Sequence, residues 1–200
     1  DMGSATVTLG GAGASRSVDT VSGTLVVGEL KSTAHGFEKR GSGTLAVASS
    51  GAGAAASLIG GPLVVSAGTL QINRTDASAV TSGDFTATGL AGTGTVVNGA
   101  AVERWLFVNT VGSAVFDGLL ANGGSGPLGV NKQGAGTLVL AHANTYTGQT
   151  TVTTGTLALG ANDVLADTTA VSIGAATLNA ATYADTAGTL DVTAASSTIN

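Results

Sequence analysis

Two pairs of aspartates are the residues best placed in the sequence for acid–base or metal chemistry. Asp163 and Asp167 form one pair, and Asp185 and Asp191 form the other. An enzyme that cleaves polysaccharide needs clustered carboxylates, as an acid–base pair or as calcium ligands, and a basic residue near the bond that breaks. Residues 133–200 contain no Lys or Arg, and the acids of the chain are dispersed. We therefore predict that these aspartates end turns or lie on solvated faces, and a polysaccharide-acting enzyme is the weakest alternative.

Nucleophilic and metal chemistry have no better support. A Ser-His-Asp set needs a histidine near a nucleophile segment, but His35 and His142 lie far apart, and the stretch around Ser125 resembles such a segment only in being rich in glycine. The chain has no Cys, so disulfides and thiolate zinc sites are excluded. The glycine runs at 10–13 and 51–53 lack the strand-and-helix context of a nucleotide-binding loop. The sequence thus predicts no catalytic, cofactor-binding or metal-binding residues and no cofactor.

The charge pattern argues against a nucleic-acid partner. The net charge is −5, and only 10% of the residues are charged, against 43% that are hydrophobic. Proteins that bind phosphate backbones usually present a basic patch or stripe. The one basic cluster, from Lys31 to Arg40, is predicted to be a solvated loop, with an anion-binding patch as the alternative.

The chain shows no sign of a targeting or membrane segment. It has no run of 18 or more apolar residues, and its start, Asp1-Met-Gly-Ser4, has no basic stretch followed by a hydrophobic one. We expect no membrane insertion by this segment and no signal peptide within it, as in a mature or excised piece.

The strongest pattern in the chain is a repeated tripeptide, Gly-Thr-Leu. In every copy the Leu is followed, two positions later, by a second apolar residue. The pairs are Leu25/Val27, Leu45/Val47, Leu70/Ile72, Leu138/Leu140, Leu157/Leu159 and Leu190/Val192. The residue between them can be polar, as at Gln71 and Asp191. Because side chains alternate between the two faces of a strand, the pattern predicts strands with the apolar pair in a core and the middle residue outside.

The spacing of the copies predicts how the strands are arranged. Most gaps are close to one or a few units of twenty residues, with weaker copies at Gly94 and Gly174 inside the longer gaps. One short strand per unit cannot bury its apolar face alone, so the units must stack. We predict an all-β parallel solenoid over residues 1–200, with roughly 20–25 residues per coil.

One segment, residues 118–160, carries a more specific motif. Its parts are Lys132-x-Gly134-x-Gly136-Thr137-Leu138-x-Leu140, Ala143-Asn144-Thr145-Tyr146-Thr147-Gly148, Thr150-Thr151-Val152 and Gly155-Thr156-Leu157-x-Leu159-Gly160. This segment closely resembles the passenger-associated transport repeat (autotransporter-associated β-strand repeat) of bacterial autotransporter passenger domains. His142 is one departure, since the family usually has Gly there. A degraded second copy covers residues 37–73, with Lys39, Gly41 and Gly43 in place but without the Asn-Thr-Tyr-Thr-Gly block.

The resemblance implies a right-handed parallel β-helix and gives the repeat residues a structural role. These residues are Gly136, Thr137, Leu138, Leu140, Asn144, Tyr146, Gly148, Gly155, Leu157 and Leu159. Asn144 and Gly148 are expected to bracket a turn, Asn through a side-chain bond to nearby backbone and Gly through a left-handed φ. Tyr146 is expected to anchor this loop on the coil, with its hydroxyl at the rim.

Residues 102–108, Val-Glu-Arg-Trp-Leu-Phe-Val, depart from the small-residue style of the chain. Alternation places Arg104 and Leu106 on one side of a strand and Trp105 and Phe107 on the other. We expect the aromatic side chains to be buried under a loop, with a protruding patch as the alternative. Trp105 and Phe107 are the best candidates in the chain for a protein contact.

The resemblance and the lack of reactive clusters together predict a noncatalytic structural segment of an autotransporter passenger, of the stalk or adhesin type. It would be secreted, and be extracellular or displayed at the cell surface of a Gram-negative outer membrane as part of a longer chain. Its expected partners are host or neighbouring-cell surface molecules. The alternative is a self-assembling extracellular filament or matrix subunit, because the open ends of a coil stack leave strand edges that can pair end to end.

Overall fold

The computed structural model describes residues 6–8, 16–48, 57–74 and 84–200, with residues 6–8 described by their backbone alone. Throughout these ranges the regular structure is β-strand, and no α-helix occurs in them. It follows that these ranges hold no helix of the length and apolarity that a membrane span requires. The all-β prediction is confirmed.

The strands are short and are joined by brief turns. In chain order they are β1 (Thr6–Thr8), β2 (Arg16–Asp19), β3 (Thr24–Val27), β4 (Glu29–Ser32), β5 (Phe37–Arg40), β6 (Thr44–Val47), β7 (Ser57–Ile59), β8 (Leu63–Val65), β9 (Thr69–Ile72), β10 (Phe85–Ala87), β11 (Leu90–Gly92), β12 (Thr95–Asn98), β13 (Arg104–Asn109), β14 (Ser113–Phe116), β15 (Leu119–Asn122), β16 (Leu128–Gln133), β17 (Thr137–Leu140), β18 (Thr150–Leu159), β19 (Ala170–Asn179), β20 (Thr189–Val192) and β21 (Thr198–Ile199).

Each coil contributes strands to as many as three faces. Face A consists of β1, β4, β7, β10, β13, β16, the first parts of β18 and β19, and β20. Face B consists of β2, β5, β8, β11, β14, β17, the second parts of β18 and β19, and β21. Face C consists of β3, β6, β9, β12 and β15. The pairings within these faces are parallel, so the described chain winds as a parallel β-helix.

The pairing register gives the length of each coil. Val171 pairs with Leu190, which makes a coil of 19 residues, whereas Ser57 pairs with Phe85, which makes a coil of 28 residues. The predicted solenoid is therefore confirmed, and its coil lengths spread to both sides of the predicted range. The right-handed sense stays a prediction, and it is the sense that parallel crossovers almost always adopt.

Aliphatic columns run along the axis inside the coil. On face C, Leu45, Leu70, Val96 and Leu120 succeed one another in register, and all four are fully buried. Burying such a side chain contributes roughly 1.5–3 kcal/mol relative to leaving it exposed. Because each column passes from coil to coil, the described buried residues form one core cluster along the axis.

The inside and outside assignment of the Gly-Thr-Leu strands holds through the body of the coil. The apolar pairs from Leu45/Val47 to Leu157/Leu159 are buried. The last pair differs, since Leu190 is 49% exposed and Val192 is 48% exposed. The reason is that β20 pairs with β19 on one side and with no other described strand.

The Gly-Thr-Leu copies do not all lie on one face. The copies that begin at Gly23, Gly43 and Gly68 form β3, β6 and β9 on face C, whereas those at Gly136 and Gly155 lie on face B. The tripeptide therefore identifies a strand and its inward residues, but not the face to which the strand belongs.

Candidate functional site: lysine-capped corners and their surroundings

A buried lysine closes the corner between β5 and β6. The Lys39 side chain is fully buried. Its Nζ donates hydrogen bonds to the carbonyl oxygens of Arg40 at 2.7 Å, Gly41 at 2.7 Å and Ala67 at 3.0 Å. The first two acceptors belong to the corner itself, and Ala67 lies 28 residues further along, at the same corner of the next coil. Lys39 therefore ties two successive coils together.

Lys132 repeats this arrangement between β16 and β17. It is also fully buried, and its Nζ donates to the carbonyl oxygens of Gln133 at 2.8 Å, Gly134 at 2.9 Å and Thr154 at 3.1 Å. Thr154 lies 22 residues further along, on the next coil. The corner of Lys39 joins faces B and C, whereas the corner of Lys132 joins faces A and B. The same local motif thus builds different corners of the coil.

Burial and hydrogen bonding act in opposite directions on the two ammonium groups. Burial lowers the pKa of Lys132 to about 8. Burial also lowers the pKa of Lys39, while the negative charge of Asp19 raises it. The three carbonyl acceptors favour the ammonium form, because a neutral amine has only two N–H groups to donate. Each corner carbonyl that points into the coil thereby gains the internal donor that buried backbone requires.

The basic segment around Lys39 is not the solvated loop that its composition predicts. Lys31 and Arg40 lie on strands β4 and β5, and their exposed side chains form ion pairs with Glu29 at 2.8 Å and Glu38 at 2.6 Å. The prediction of a loop fails because the alternating side chains of these strands leave the charges outside and turn Lys39 inward.

The glycines of a corner meet two different requirements. Gly41 and Gly134 adopt φ values of +71° and +76°, a region that side chains disfavour. Gly136 is needed for close approach, because a Cβ atom there would clash with the carbonyl oxygen of Gly112 on the preceding coil. Thr137 N donates to that same oxygen at 2.8 Å, so the coils meet backbone to backbone at this point.

Gly155 forms the glycine corner of the next coil, within the bend of β18. Its φ of +72° also falls in the left-handed region. Leu157 and Leu159, further along the same strand, pair in register with Leu138 and Leu140, and all four side chains are buried. The repeat leucines thus form two adjacent inward columns on face B.

The side chain of Asn144 links three successive coils by hydrogen bonds. Its Oδ1 accepts a hydrogen bond from Leu120 N at 2.8 Å, and its Nδ2 donates to the carbonyl oxygens of His142 and Val164 at 2.8 Å each. The bond to His142 is the local one expected of a turn, while Leu120 and Val164 lie on the neighbouring coils. Because residues 143–146 do not form a strand, the buried Asn144 side chain supplies inter-coil bonds that strand pairing supplies elsewhere on face C.

Tyr146 anchors the loop from inside the coil, and its predicted hydroxyl position at the rim is wrong. The side chain is fully buried, and its hydroxyl hydrogen-bonds the Thr150 hydroxyl at 2.6 Å. The Thr169 hydroxyl donates to the Tyr146 carbonyl oxygen at 3.2 Å. The phenol can lie inside because the buried Thr150 provides its polar partner. Burial raises the pKa of Tyr146 well above its ordinary value.

Gly148 serves close approach, not the left-handed conformation expected of it. It is absent from the described glycines with positive φ. A Cβ atom at this position would clash with the carbonyl oxygen of Leu128 on the preceding coil, to which Gly148 N donates at 3.1 Å. The loop therefore needs glycine because it lies directly against the neighbouring backbone.

Trp105 and Phe107 lie on the outer side of β13, and Arg104 and Leu106 lie on the inner side, as alternation predicts. Both aromatic side chains are half-buried, which falls between the expected burial and the alternative of a protruding patch. Their ring centroids are 6.3 Å apart, with the planes at 90°. Edge-to-face pairs of this kind are a favoured aromatic geometry.

A buried ion cluster next to this pair was not found by sequence reasoning. Arg104 Nη1 lies 3.2 Å from Asp84 Oδ1, and Arg74 Nη1 lies 3.6 Å from the same oxygen. Trp105 N donates to Asp84 Oδ2 at 2.7 Å. Burial raises the pKa of Asp84, whereas the hydrogen bond from Trp105 N–H and the two guanidinium charges lower it. The available signal was an arginine at an inward strand position, since a buried charge needs a partner of opposite sign.

The structure does not bring the aspartate pairs together into a reactive cluster. Asp163, Asp167 and Asp191 are exposed, and Asp185 Oδ2 accepts a hydrogen bond from Leu165 N at 3.0 Å. Burial raises the pKa of Asp185 and the nearby charge of Asp163 raises it further, whereas its backbone hydrogen bonds lower it. Within the described ranges, His, Cys, Asp and Glu side chains nowhere converge in threes as a metal site would require.

A protein-family comparison identifies the segments that contain the two lysine corners. The family model described as passenger-associated-transport-repeat matches residues 37–72 and 130–159, which together make about a third of the chain. Each matched range includes a capping lysine and the glycine corner of the next coil. Neither the curated proteins nor the solved structures yielded a match.

Proposed function

We propose that the chain is a noncatalytic structural segment of an autotransporter passenger, displayed at the cell surface as a stalk or adhesin. Two of its segments match the passenger-associated-transport-repeat model. The observation that carries this proposal is the direction in which the repeat residues act. Lys39, Lys132 and Asn144 all bond the backbone of neighbouring coils, so the motif serves coil stacking and not a pocket.

The stiffness of such a segment results from its bonding. Parallel ladders hold each coil to the next, and the aliphatic columns exclude water along the axis. The lysine ties add bonds at the corners, where the strand ladder is interrupted. A rod of this kind carries its outward side chains at fixed positions, which suits contacts with host or neighbouring-cell surface molecules.

Surface display is tested on intact Gram-negative cells that express the full chain to which this segment belongs. Antibodies raised against the purified segment are expected to stain intact cells, and external protease is expected to remove the staining. An antibody against a periplasmic protein serves as the control and should stain permeabilised cells alone. Staining that requires permeabilisation would contradict the proposal.

The noncatalytic part of the proposal has its own test. The purified segment is incubated with a panel of polysaccharides, and reducing and unsaturated sugar ends are measured. We expect no release above that of a heat-denatured sample. Release of either kind of end would overturn the noncatalytic role.

End-to-end self-association is a second candidate, favoured by one observation. β20 leaves Leu190 and Val192 about half exposed at an unpaired strand edge, and such an edge can pair with another copy of the chain. Light scattering over a wide range of concentrations is the test. A particle mass that grows with concentration in the parent chain, but not in Leu190→Lys, would support a filament. A mass that stays that of a monomer at all concentrations would exclude assembly through this edge.

A further inference from the structure

The outer side of face A contains a stretch of uncharged residues across four successive coils. We call it the neutral patch, and it consists of Thr86, Trp105, Phe107, Asn131, Thr151 and Thr153. Phe107 pairs in register with Thr86 on one side and with Asn131 on the other, and Asn131 pairs with Thr151. An exposed charged residue, Glu103, precedes β13 at one end of the patch.

The indole ring of Trp105 lies flat against the backbone of the adjacent coil. Its register partner on β16 is Gly129, and a Cβ atom built on that glycine would lie 2.8–2.9 Å from three atoms of the six-membered ring of the indole. Such nearly equal distances mean that the face of the ring rests on Gly129. The opposite face of the indole is directed away from the sheet, and the side chain keeps part of its surface exposed.

The apolar part of the neutral patch is small. It consists of the indole and the perpendicular ring of Phe107, at a centroid distance of 6.3 Å. The neighbours of these rings along the sheet are Thr86, Gly129 and Asn131, and the buried carboxylate of Asp84 lies beneath Trp105 as the acceptor of its backbone N–H. A protein partner that bound here would find an apolar contact too limited for the buried centre of a typical interface.

A hydrogen-bonding group is fixed beside the rings. The Thr153 hydroxyl donates to Asn131 Oδ1 at 2.9 Å, which orients the amide. The Asn131 NH₂ group then remains as a donor at the surface, next to Phe107 and in register with Thr151. The Thr151 hydroxyl, on the adjacent strand β18, can both donate and accept.

We infer that the neutral patch binds a neutral glycan. A sugar ring has one face of C–H groups, which an aromatic face attracts through its negative quadrupole, and a rim of hydroxyls that amides and threonines can bond. The lack of charge disfavours sulfated or phosphorylated ligands, which recruit Lys or Arg. This inference deepens the proposed adhesin role and depends on it for its biological setting.

The test uses the purified chain and the fluorescence of Trp105, which is its one tryptophan. Unsubstituted glucan, mannan and galactan hexasaccharides are titrated, with a sulfated hexasaccharide for comparison. We expect a saturable shift of the emission with at least one neutral sugar and none with the sulfated one. No saturable response to any of these neutral sugars, or a preference for the sulfated sugar, would overturn the inference.

Variants locate the binding on the neutral patch. Calorimetry measures the affinity of each variant for the sugar. We expect Trp105→Ala to lower this affinity at least tenfold and Asn131→Ala to lower it about threefold to tenfold. Val115→Ala, at an exposed apolar residue on face B, should leave the affinity unchanged. Unchanged affinity in both patch variants, with their folding verified by circular dichroism, would contradict the site. A protein ligand whose binding no sugar competes with, and whose binding is lost in Trp105→Ala, would assign the patch to a protein contact instead.

Surface display plays no part in this experiment, so a failure of the glycan inference and a failure of the proposed function can be told apart.

Discussion

The first transport repeat closes a corner from face B to face C, and the second closes a corner from face A to face B. In both, a buried lysine bonds two carbonyls of its own corner and one on the next coil, 28 residues away for Lys39 and 22 for Lys132. The geometry of the tie survives this difference in coil length and the change of face. The comparison teaches that the motif specifies a link between consecutive coils, not a place on the coil.

The coils that carry the two repeats differ on face C. After Gly43 the first repeat continues as β6, a regular strand of face C. The corresponding side of the second coil is residues 143–146, which form no strand and depend on Asn144 for bonds to both neighbouring coils. Backbone groups on face C can therefore find hydrogen-bond partners either in strand pairing or in the side chain of a buried asparagine.

The largest expected effect tests whether the leucine after each corner has the same role. Leu45→Asp and Leu138→Asp each place a carboxylate in a fully buried aliphatic column, and we expect a loss of more than about 4 kcal/mol, enough to abolish cooperative unfolding in urea. Ala158→Asp, at an outward position of face B, should change the free energy of unfolding by about 0.5 kcal/mol or less. Equal damage from Ala158→Asp would show that the inward register is wrong.

The next effect tests the ties themselves. Lys39→Met and Lys132→Met keep much of the buried volume but remove the donor from three carbonyls, and each should lower the free energy of unfolding by roughly 2–3 kcal/mol. Lys31→Met, at an exposed lysine, is the matched control and should be nearly silent. If either corner variant were as stable as the parent chain, the two corners would not be equivalent and the comparison would fail.

The pH dependence should separate the two lysines. The pKa of Lys132 is about 8 in the folded chain against 10.5 for an ordinary lysine, so the unfolded chain holds more protons between these values and stability rises with pH there. We expect a rise of up to about 2 kcal/mol from pH 8 to 10, reduced by the carbonyl bonds that favour the charged form. Lys39 should give a smaller rise of the same sign, because Asp19 raises its pKa.

Urea titrations at pH 8, 9 and 10 measure this rise in the parent chain and in the two methionine variants. Lys132→Met should remove the larger part of it and Lys39→Met the smaller part. A stability that falls over this window in the parent chain, or a rise that persists unchanged in Lys132→Met, would contradict the assignment.

The smallest effect concerns the Asn-Thr-Tyr-Thr-Gly block, which the first repeat lacks. Tyr146→Phe removes the hydroxyl that pairs with Thr150 inside the coil, and should lower the free energy of unfolding by about 1 kcal/mol. Tyr183→Phe, at an exposed tyrosine, provides the control. A change no larger than that of the control would mean that the buried hydroxyl pair adds nothing to the loop.

Sequence reasoning succeeds here where the physics is local. Period-two alternation identifies Leu138 and Leu157 as inward residues, because each strand sorts its own side chains. It fails for the Tyr146 hydroxyl, which would be solvated in an isolated loop, and it makes no prediction about the partners of the Lys132 ammonium group. The partner of the Tyr146 hydroxyl, Thr150, is four residues away and is buried. The inter-coil partner of Lys132 depends instead on the stacking of coils of unequal length, because Thr154 meets its Nζ only once the register of a whole turn is known. The face of each Gly-Thr-Leu strand is hidden for the same reason.

The central claim, that both repeats are tied by a buried ammonium group, can be tested most directly by NMR of the lysine side chains at about pH 6. The chain has three lysines, and exposed Lys31 is the internal control. We predict two slowly exchanging Nζ ammonium signals with couplings across hydrogen bonds to carbonyl carbons, one lost in Lys39→Met and the other in Lys132→Met. If all three ammonium groups exchanged rapidly with water, the lysine-tied coil would be contradicted.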